Sequence, residues 1–147
     1  MIYFDTSALI KRYIVEKGSD PVRDLLRKED SAATATITYA EVHSGLMRRL
    51  REGYVPRKSY AIACHEFEQD WPDYLAIELT RELLIATRDL IQRHPLRSFD
   101  AIHLASALSL ARKLDEGVTV VAADGRLLHA AAAEGLGVVN VEKEERA

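Results

Sequence analysis

The chain has 147 residues, of which 48% are hydrophobic and 29% charged, with a formal net charge of −3; this describes one folded domain and excludes a disordered chain or a uniformly basic nucleic-acid coat. The lone Cys64 excludes an intrachain disulfide framework and a cysteine-based zinc ribbon. No apolar run approaches the ~20 residues of a membrane span, and the opening Met1-Ile2-Tyr3-Phe4-Asp5 lacks a secretory leader pattern, so a cytoplasmic enzyme or binding domain with no membrane partner is expected.

The hydrophobic pattern alternates between strand and helix periods. Ile2–Phe4 is a short apolar strand, and Thr6-Ser7 caps a helix through about Tyr13. Ser19-Asp20-Pro21 starts a second helix that ends near Lys28. Ser31–Thr36 is small and β-branched and reads as a strand. Thr38 then caps a helix with Tyr39, Val42, Leu46 and Leu50 on one face, and Gly53 ends it. Pro56 opens a helix striped by Tyr60, Cys64, Phe67 and Trp71. Tyr74–Leu79 reads as a strand, and Thr80 caps a helix carrying Leu83, Leu84, Thr87 and Leu90, broken at His94-Pro95. Ser98 begins a helix to about Leu114 that is apolar nearly all round and therefore buried. Val118–Ala123 reads as a strand buried on both faces, followed by a helix over Gly125–Glu134 that stops at Gly135, and by a last strand, Val138–Val141. This order predicts one α/β domain over 1–141, with a mostly parallel central sheet flanked by helices, and a charged, frayed tail over 142–147.

In a parallel sheet the active crevice lies beyond the carboxyl ends of the strands. Asp5 directly follows the first strand and Asp124 directly follows the Val118–Ala123 strand. Glu41 and Asp100 fall in the first turns of their predicted helices. Four carboxylates so placed repel one another strongly unless cations neutralise them, and hard oxygen donors suit Mg²⁺ or Mn²⁺. Acid-bound Mg²⁺ beside a phosphodiester is an arrangement for nuclease chemistry. Each acid also has a plain structural reading. Asp5, Asp100 and Asp124 suit helix starts, and Glu41, three residues after Thr38, suits a capping box. Asp100 resists this reading most, because a charge at the mouth of a buried helix usually has a job.

Four segments carry a resemblance: Tyr3-Phe4-Asp5-Thr6-Ser7-Ala8-Leu9, Thr38-Tyr39-Ala40-Glu41-Val42, Leu96-Arg97-Ser98-Phe99-Asp100-Ala101-Ile102-His103-Leu104-Ala105 and Val121-Ala122-Ala123-Asp124-Gly125-Arg126-Leu127. None is specific alone. In this order and spacing, over almost the whole chain, they are similar to those of PIN-domain ribonucleases, in particular the VapC-type toxins. The resemblance implies a Mg²⁺- or Mn²⁺-dependent endoribonuclease acting on RNA, with Asp5, Glu41, Asp100 and Asp124 as the acidic quartet. It implies that Thr6 or Ser7 supports the site through a hydroxyl. It also implies a cognate antitoxin that covers the site, and a homodimer. The rival reading is a catalytically inactive PIN-like domain that binds RNA or protein.

Other residues carry weaker signals. His103 shares a helical face with Asp100, where it orients that acid, touches substrate, or is simply a satisfied, partly buried histidine. Arg48, Arg49, Arg51, Arg57 and Lys58 form a basic stretch that reads either as a phosphate-contact surface or as an ordinary solvated helix end. Tyr13, Tyr54 and Tyr60 suit packing better than base stacking, and Cys64 suits the core. A phosphatase of the D-x-D type is disfavoured, since Ser7 stands two residues after Asp5. A phosphorylated receiver is disfavoured by the lack of a suitably placed lysine.

Overall fold

The computed structural model describes residues 1–143; the remainder of the expected tail, 144–147, lies outside the described residues. In chain order the elements are β1 (Ile2–Phe4), α1 (Thr6–Leu9) running into a 3₁₀ turn at Ile10–Arg12, α2 (Ser19–Lys28), β2 (Ala32–Ala35), α3 (Ile37–Arg51), α4 (Arg57–Asp70) with a 3₁₀ turn at Trp71–Asp73, β3 (Leu75–Ile77), α5 (Arg81–Arg93), α6 (Ser98–Leu114), β4 (Thr119–Ala122), α7 (Gly125–Ala133) and β5 (Gly137–Asn140). All strand pairings are parallel, in the order β3-β2-β1-β4-β5. The chain builds outward from β1 to β3, then returns to the other side of β1 for β4 and β5. The strand order therefore reverses between β1 and β4, the place where a parallel sheet opens a crevice at its carboxyl edge.

Alternation along the strands separates two cores. Tyr3, Ala33, Ala35, Val120 and Ala122 face α5, α6 and α7. Ile2, Phe4, Ala32 and Val121 face α1 to α4 through Leu9, Val22, Val42, Leu46 and Phe67. Both faces of β1 are buried, which explains its unbroken apolar sequence. Helix α6 is buried from Ala101 to Ala107, as its all-round apolarity requires. Among the described residues no helix is long and apolar enough to cross a membrane.

Local departures from the sequence reading have local causes. Helix α1 is one turn long and tightens to 3₁₀ before Tyr13. Helix α3 starts at Ile37 with Thr36 at its N-cap and no side-chain cap. Thr38 is fully buried, and its hydroxyl lies 2.8 Å from that of Thr34. The predicted Thr38 cap is therefore not formed, and Glu41 sits in the second turn rather than the first. The strand expected over Tyr74–Leu79 shortens to three residues at the sheet edge, where only one neighbouring strand pairs with it. Thr80 does cap α5, accepting from the Leu83 N–H at 3.2 Å. Cys64 is only partly buried against the core. Within the expected tail, Glu142 is bound: it accepts from Lys11 Nζ at 2.9 Å.

Candidate active site

β1 delivers Asp5 to the carboxyl edge of the sheet, where it is 3% exposed. Its Oδ1 accepts from the Ala8 N–H at 3.1 Å, so it caps α1 as the plain reading held. The Ser7 hydroxyl lies 2.8 Å from both carboxylate oxygens. Ser7 Oγ also accepts from the Ala123 N–H at 3.0 Å, which ties the ends of β1 and β4 together across the crevice. Burial pushes the Asp5 pKa up to about 6; His103, Ser7 and Ala8 oppose that rise and Asp100 adds to it. Asp124 caps α7, accepting from the N–H groups of Arg126 (2.9 Å) and Leu127 (3.4 Å). Capping and a place in the site are compatible for both acids, because a helix start at the carboxyl edge of a strand positions its cap at the crevice.

Glu41 is not a capping-box residue. Its Oε1 accepts from Thr6 Oγ1 at 2.6 Å and from His103 Nε2 at 2.9 Å. Partial burial pushes its pKa up, but the hydrogen bonds from His103 and Thr6 outweigh that and hold it below the usual carboxylate range. The adjacent hydroxyls of α1 thus serve different acids: Thr6 binds Glu41 and Ser7 binds Asp5. Asp100, half-buried in the first turn of α6, has its pKa raised by burial and next by Asp124; His103 and Arg97 pull it down and Glu41 adds a small rise.

Asp5, Glu41, Asp100, Asp124, Thr6, Ser7 and His103 line one open cleft of about 560 Å³. Among the described residues no Lys or Arg side chain forms an ion pair with Asp5, Asp100 or Asp124. Negative charge is therefore concentrated there without direct neutralisation, and the raised proton affinities of Asp5 and Asp100 follow from burial and mutual repulsion. Also among the described residues, no three His, Cys, Asp or Glu side chains already converge closely enough to hold a metal ion between them. The donors are hard oxygens around an open cleft. That suits Mg²⁺ or Mn²⁺, since Mg²⁺ retains several waters and takes only one or two carboxylates directly.

His103 is 2% exposed and engaged at both ring nitrogens, so it is satisfied, and it is fully rather than partly buried. Its partners are Glu41 and Tyr3, with the Thr6 hydroxyl 3.3 Å from Nε2, rather than Asp100 beside it on the same helix. The sequence carries no signal for this role of Tyr3, because a tyrosine in an apolar strand shows no polar pattern. Arg97 also lines the cleft, and Phe99, 55% exposed, stands at its rim. Of the basic stretch only Arg48 and Arg49 reach the cleft. Arg49 is committed to Glu16 by two 3.1 Å hydrogen bonds, and to the Gly45 carbonyl at 3.0 Å. Gly45 leaves room at this point: a Cβ there would stand 2.7 Å from Ile10 Cδ1. Tyr13 is core, donating to Asp70 at 2.7 Å, whereas Tyr54 is 77% exposed.

The PIN domain family model matches residues 2–133. The chain belongs to the PIN-domain family. Its curated relatives include Ribonuclease VapC45 of Mycobacterium tuberculosis, 33% identical over 135 residues and covering 92% of each chain. In three dimensions the PIN domain superposes on Mycobacterium tuberculosis VapC20, described as a sarcin-ricin loop cleaving toxin, with a TM-score of 0.68 at 18% identity over 95% of this chain and 99% of the other. It also superposes on a chain of a toxin–antitoxin complex from Klebsiella pneumoniae, with a TM-score of 0.66 at 20% identity over 96% and 98% of the two chains. At such low identity these structural likenesses speak for the fold, and the curated relatives for the VapC branch of the family.

Proposed function

We propose that this PIN domain is a metal-dependent endoribonuclease that hydrolyses RNA phosphodiester bonds as the toxin of a toxin–antitoxin pair. The observation that carries the reading is the concentration of Asp5, Glu41, Asp100 and Asp124 in one cleft at the strand-order reversal, with no ion-paired Lys or Arg on the three aspartates among the described residues. The name ribonuclease borne by the curated relatives supports the reaction class, and the Klebsiella complex supports an antitoxin as partner. A homodimer in the cytoplasm is part of the same reading.

Asp5, Asp100 and Asp124, with Glu41, would hold Mg²⁺ or Mn²⁺. Bound there, such an ion supplies an activated water and stabilises charge on the departing oxygen. The protein's own part is to hold its oxygens in place before substrate arrives. Ser7 orients the Asp5 carboxylate and Thr6 the Glu41 carboxylate. Arg48 and Arg97, at the cleft wall, meet the RNA backbone, whose phosphates need cationic partners beside an acidic site. An antitoxin would silence the site by covering the cleft; a planar arginine fork among the carboxylates would pair with them bidentately.

The test is RNA cleavage by the purified chain with Mn²⁺, with EDTA, and in the Asp5→Asn and Asp100→Asn variants. Cleavage that needs the ion and is lost in both folded variants is expected, together with growth arrest on expression of the wild-type chain and tolerance of Asp5→Asn. Undiminished cleavage in EDTA overturns the reading. A folded chain that binds Mn²⁺ but cleaves no RNA returns it to an inactive binding domain.

A further inference from the structure

Glu41 has two carboxylate oxygens, and the described residues engage one of them. Thr6 Oγ1 at 2.6 Å and His103 Nε2 at 2.9 Å both meet Oε1. Among the described residues no hydrogen bond reaches Oε2, and no buried side-chain polar atom is left without a partner. Oε2 is therefore the oxygen that Glu41 offers to the cleft it lines.

The hydrogen positions around His103 follow from chemistry. An ionised carboxylate only accepts, so the ring nitrogen facing Glu41 carries a hydrogen. In the neutral imidazole the other nitrogen must then accept. Its partner at 2.7 Å is the Tyr3 hydroxyl, which donates. Tyr3 is 0% exposed on the central strand β1, with its ring edge-on to His103 at 71° and a centroid distance of 5.9 Å. The anchor is rigid, and the imidazole has no solvent beside it in which to turn over. A buried histidine with only a packing role needs partners for its nitrogens, but it does not need them to end on an acid of the cleft.

We propose that Tyr3 and His103 form a positioning relay: Tyr3 fixes the Nε2–H tautomer, and His103, together with Thr6, holds Glu41 by Oε1 so that Oε2 faces a divalent ion in the cleft. The proposal rests on the metal-dependent reading above and assigns Glu41 its orientation within it. His103 and Tyr3 touch neither substrate nor ion. They act through Glu41, as partners behind metal-binding groups commonly do.

Three variants separate positioning from packing. His103→Phe fills the volume with no donor. His103→Gln retains an N–H near the position of Nε2. Tyr3→Phe removes one hydroxyl and keeps the ring. Two readouts are needed: the His103 tautomer, from long-range ¹H–¹⁵N correlation spectra of the metal-free chain at about pH 8, where a free imidazole is neutral, and the Mn²⁺ dissociation constant from calorimetry. The wild-type chain is expected to show hydrogen on Nε2 alone, and Tyr3→Phe a mixture of tautomers. His103→Phe is expected to weaken Mn²⁺ binding roughly 10- to 100-fold, with most of the loss recovered in His103→Gln. Hydrogen on Nδ1 in the wild-type chain overturns the relay, and so does wild-type Mn²⁺ affinity in a folded His103→Phe. If His103→Phe does not fold, Tyr3→Phe decides: unchanged tautomer and unchanged affinity overturn it. Failure of the wild-type chain to bind Mn²⁺ would bring down the metal reading and this proposal with it, whereas normal wild-type binding with indifferent variants brings down the relay alone.

Discussion

Asp5→Asn should stabilise the metal-free protein, by an amount that depends on pH. Asp5 is 3% exposed and its carboxyl titrates at about 6 in place of 3.8, with burial outweighing the help of His103, Ser7 and the Ala8 N–H. A group whose pKa is raised by folding contributes its full stability below the unfolded value and loses it as pH rises through the folded value. As pH rises from about 4 to about 8 the cost of ionising this carboxyl in the fold therefore grows from almost nothing to about 3 kcal/mol. Asparagine keeps an oxygen for the Ala8 N–H, caps a helix about as well as aspartate, and carries no charge. In EDTA the variant should gain up to about 3 kcal/mol over the wild-type chain near pH 8, roughly 6–12 °C in melting temperature, and almost nothing near pH 4. Urea unfolding of both chains across that range measures the difference. Mn²⁺ should reverse the ranking at pH 8, because an ion that binds only the folded wild-type cleft stabilises it by mass action. A pH-independent difference, or a variant less stable near pH 8, would refute the argument that Asp5 is a buried, uncompensated charge.

Glu41→Gln should fold and lose cleavage activity by about 10²–10³-fold, the effect of removing a charged group that acts in the transition state; a wild-type rate in single-turnover cleavage of a model RNA would remove Glu41 from the site. Arg48→Ala should weaken RNA binding at every sequence tested and lower the steepness of its salt dependence by about one phosphate contact, read from fluorescence anisotropy over a salt series; an unchanged slope would take Arg48 off the RNA path. Gly135, at φ +92°, closes α7 with its N–H on the Ala132 carbonyl at 3.0 Å. Gly135→Ala should cost about 1–2 kcal/mol in urea unfolding, since no side chain blocks the site and only the left-handed backbone resists.

Much of the fold was legible because the signals are local. Burial on both faces leaves β1 and β4 as continuous apolar runs, and a buried helix shows apolar residues all round, as α6 does. Asp5 and Asp124 could be placed from sequence for the same reason: each directly follows a strand, and parallel strands bring their carboxyl ends to one edge. Errors fell where a local signal had a tertiary competitor. Thr38 has the chemistry of an N-cap, but the N-cap falls two residues earlier, at Thr36, and the Thr38 hydroxyl turns inward to Thr34. Glu41 has capping-box spacing, yet better donors reach it from α1 and α6.

Residue order alone thus determined the α/β class, the parallel sheet and the carboxyl-edge positions of Asp5 and Asp124. Only the tertiary structure decided who serves whom in the cleft. Thr6 pairs with Glu41 across 35 positions, Ser7 joins Ala123 across 116, and Tyr3 meets His103 across 100. Strand and helix periods are written in neighbouring side chains, which a sequence displays. A hydrogen bond between distant residues depends on how β1, α1, α3 and α6 pack, and on which way each buried donor turns once water has left, so no spacing in the sequence records it.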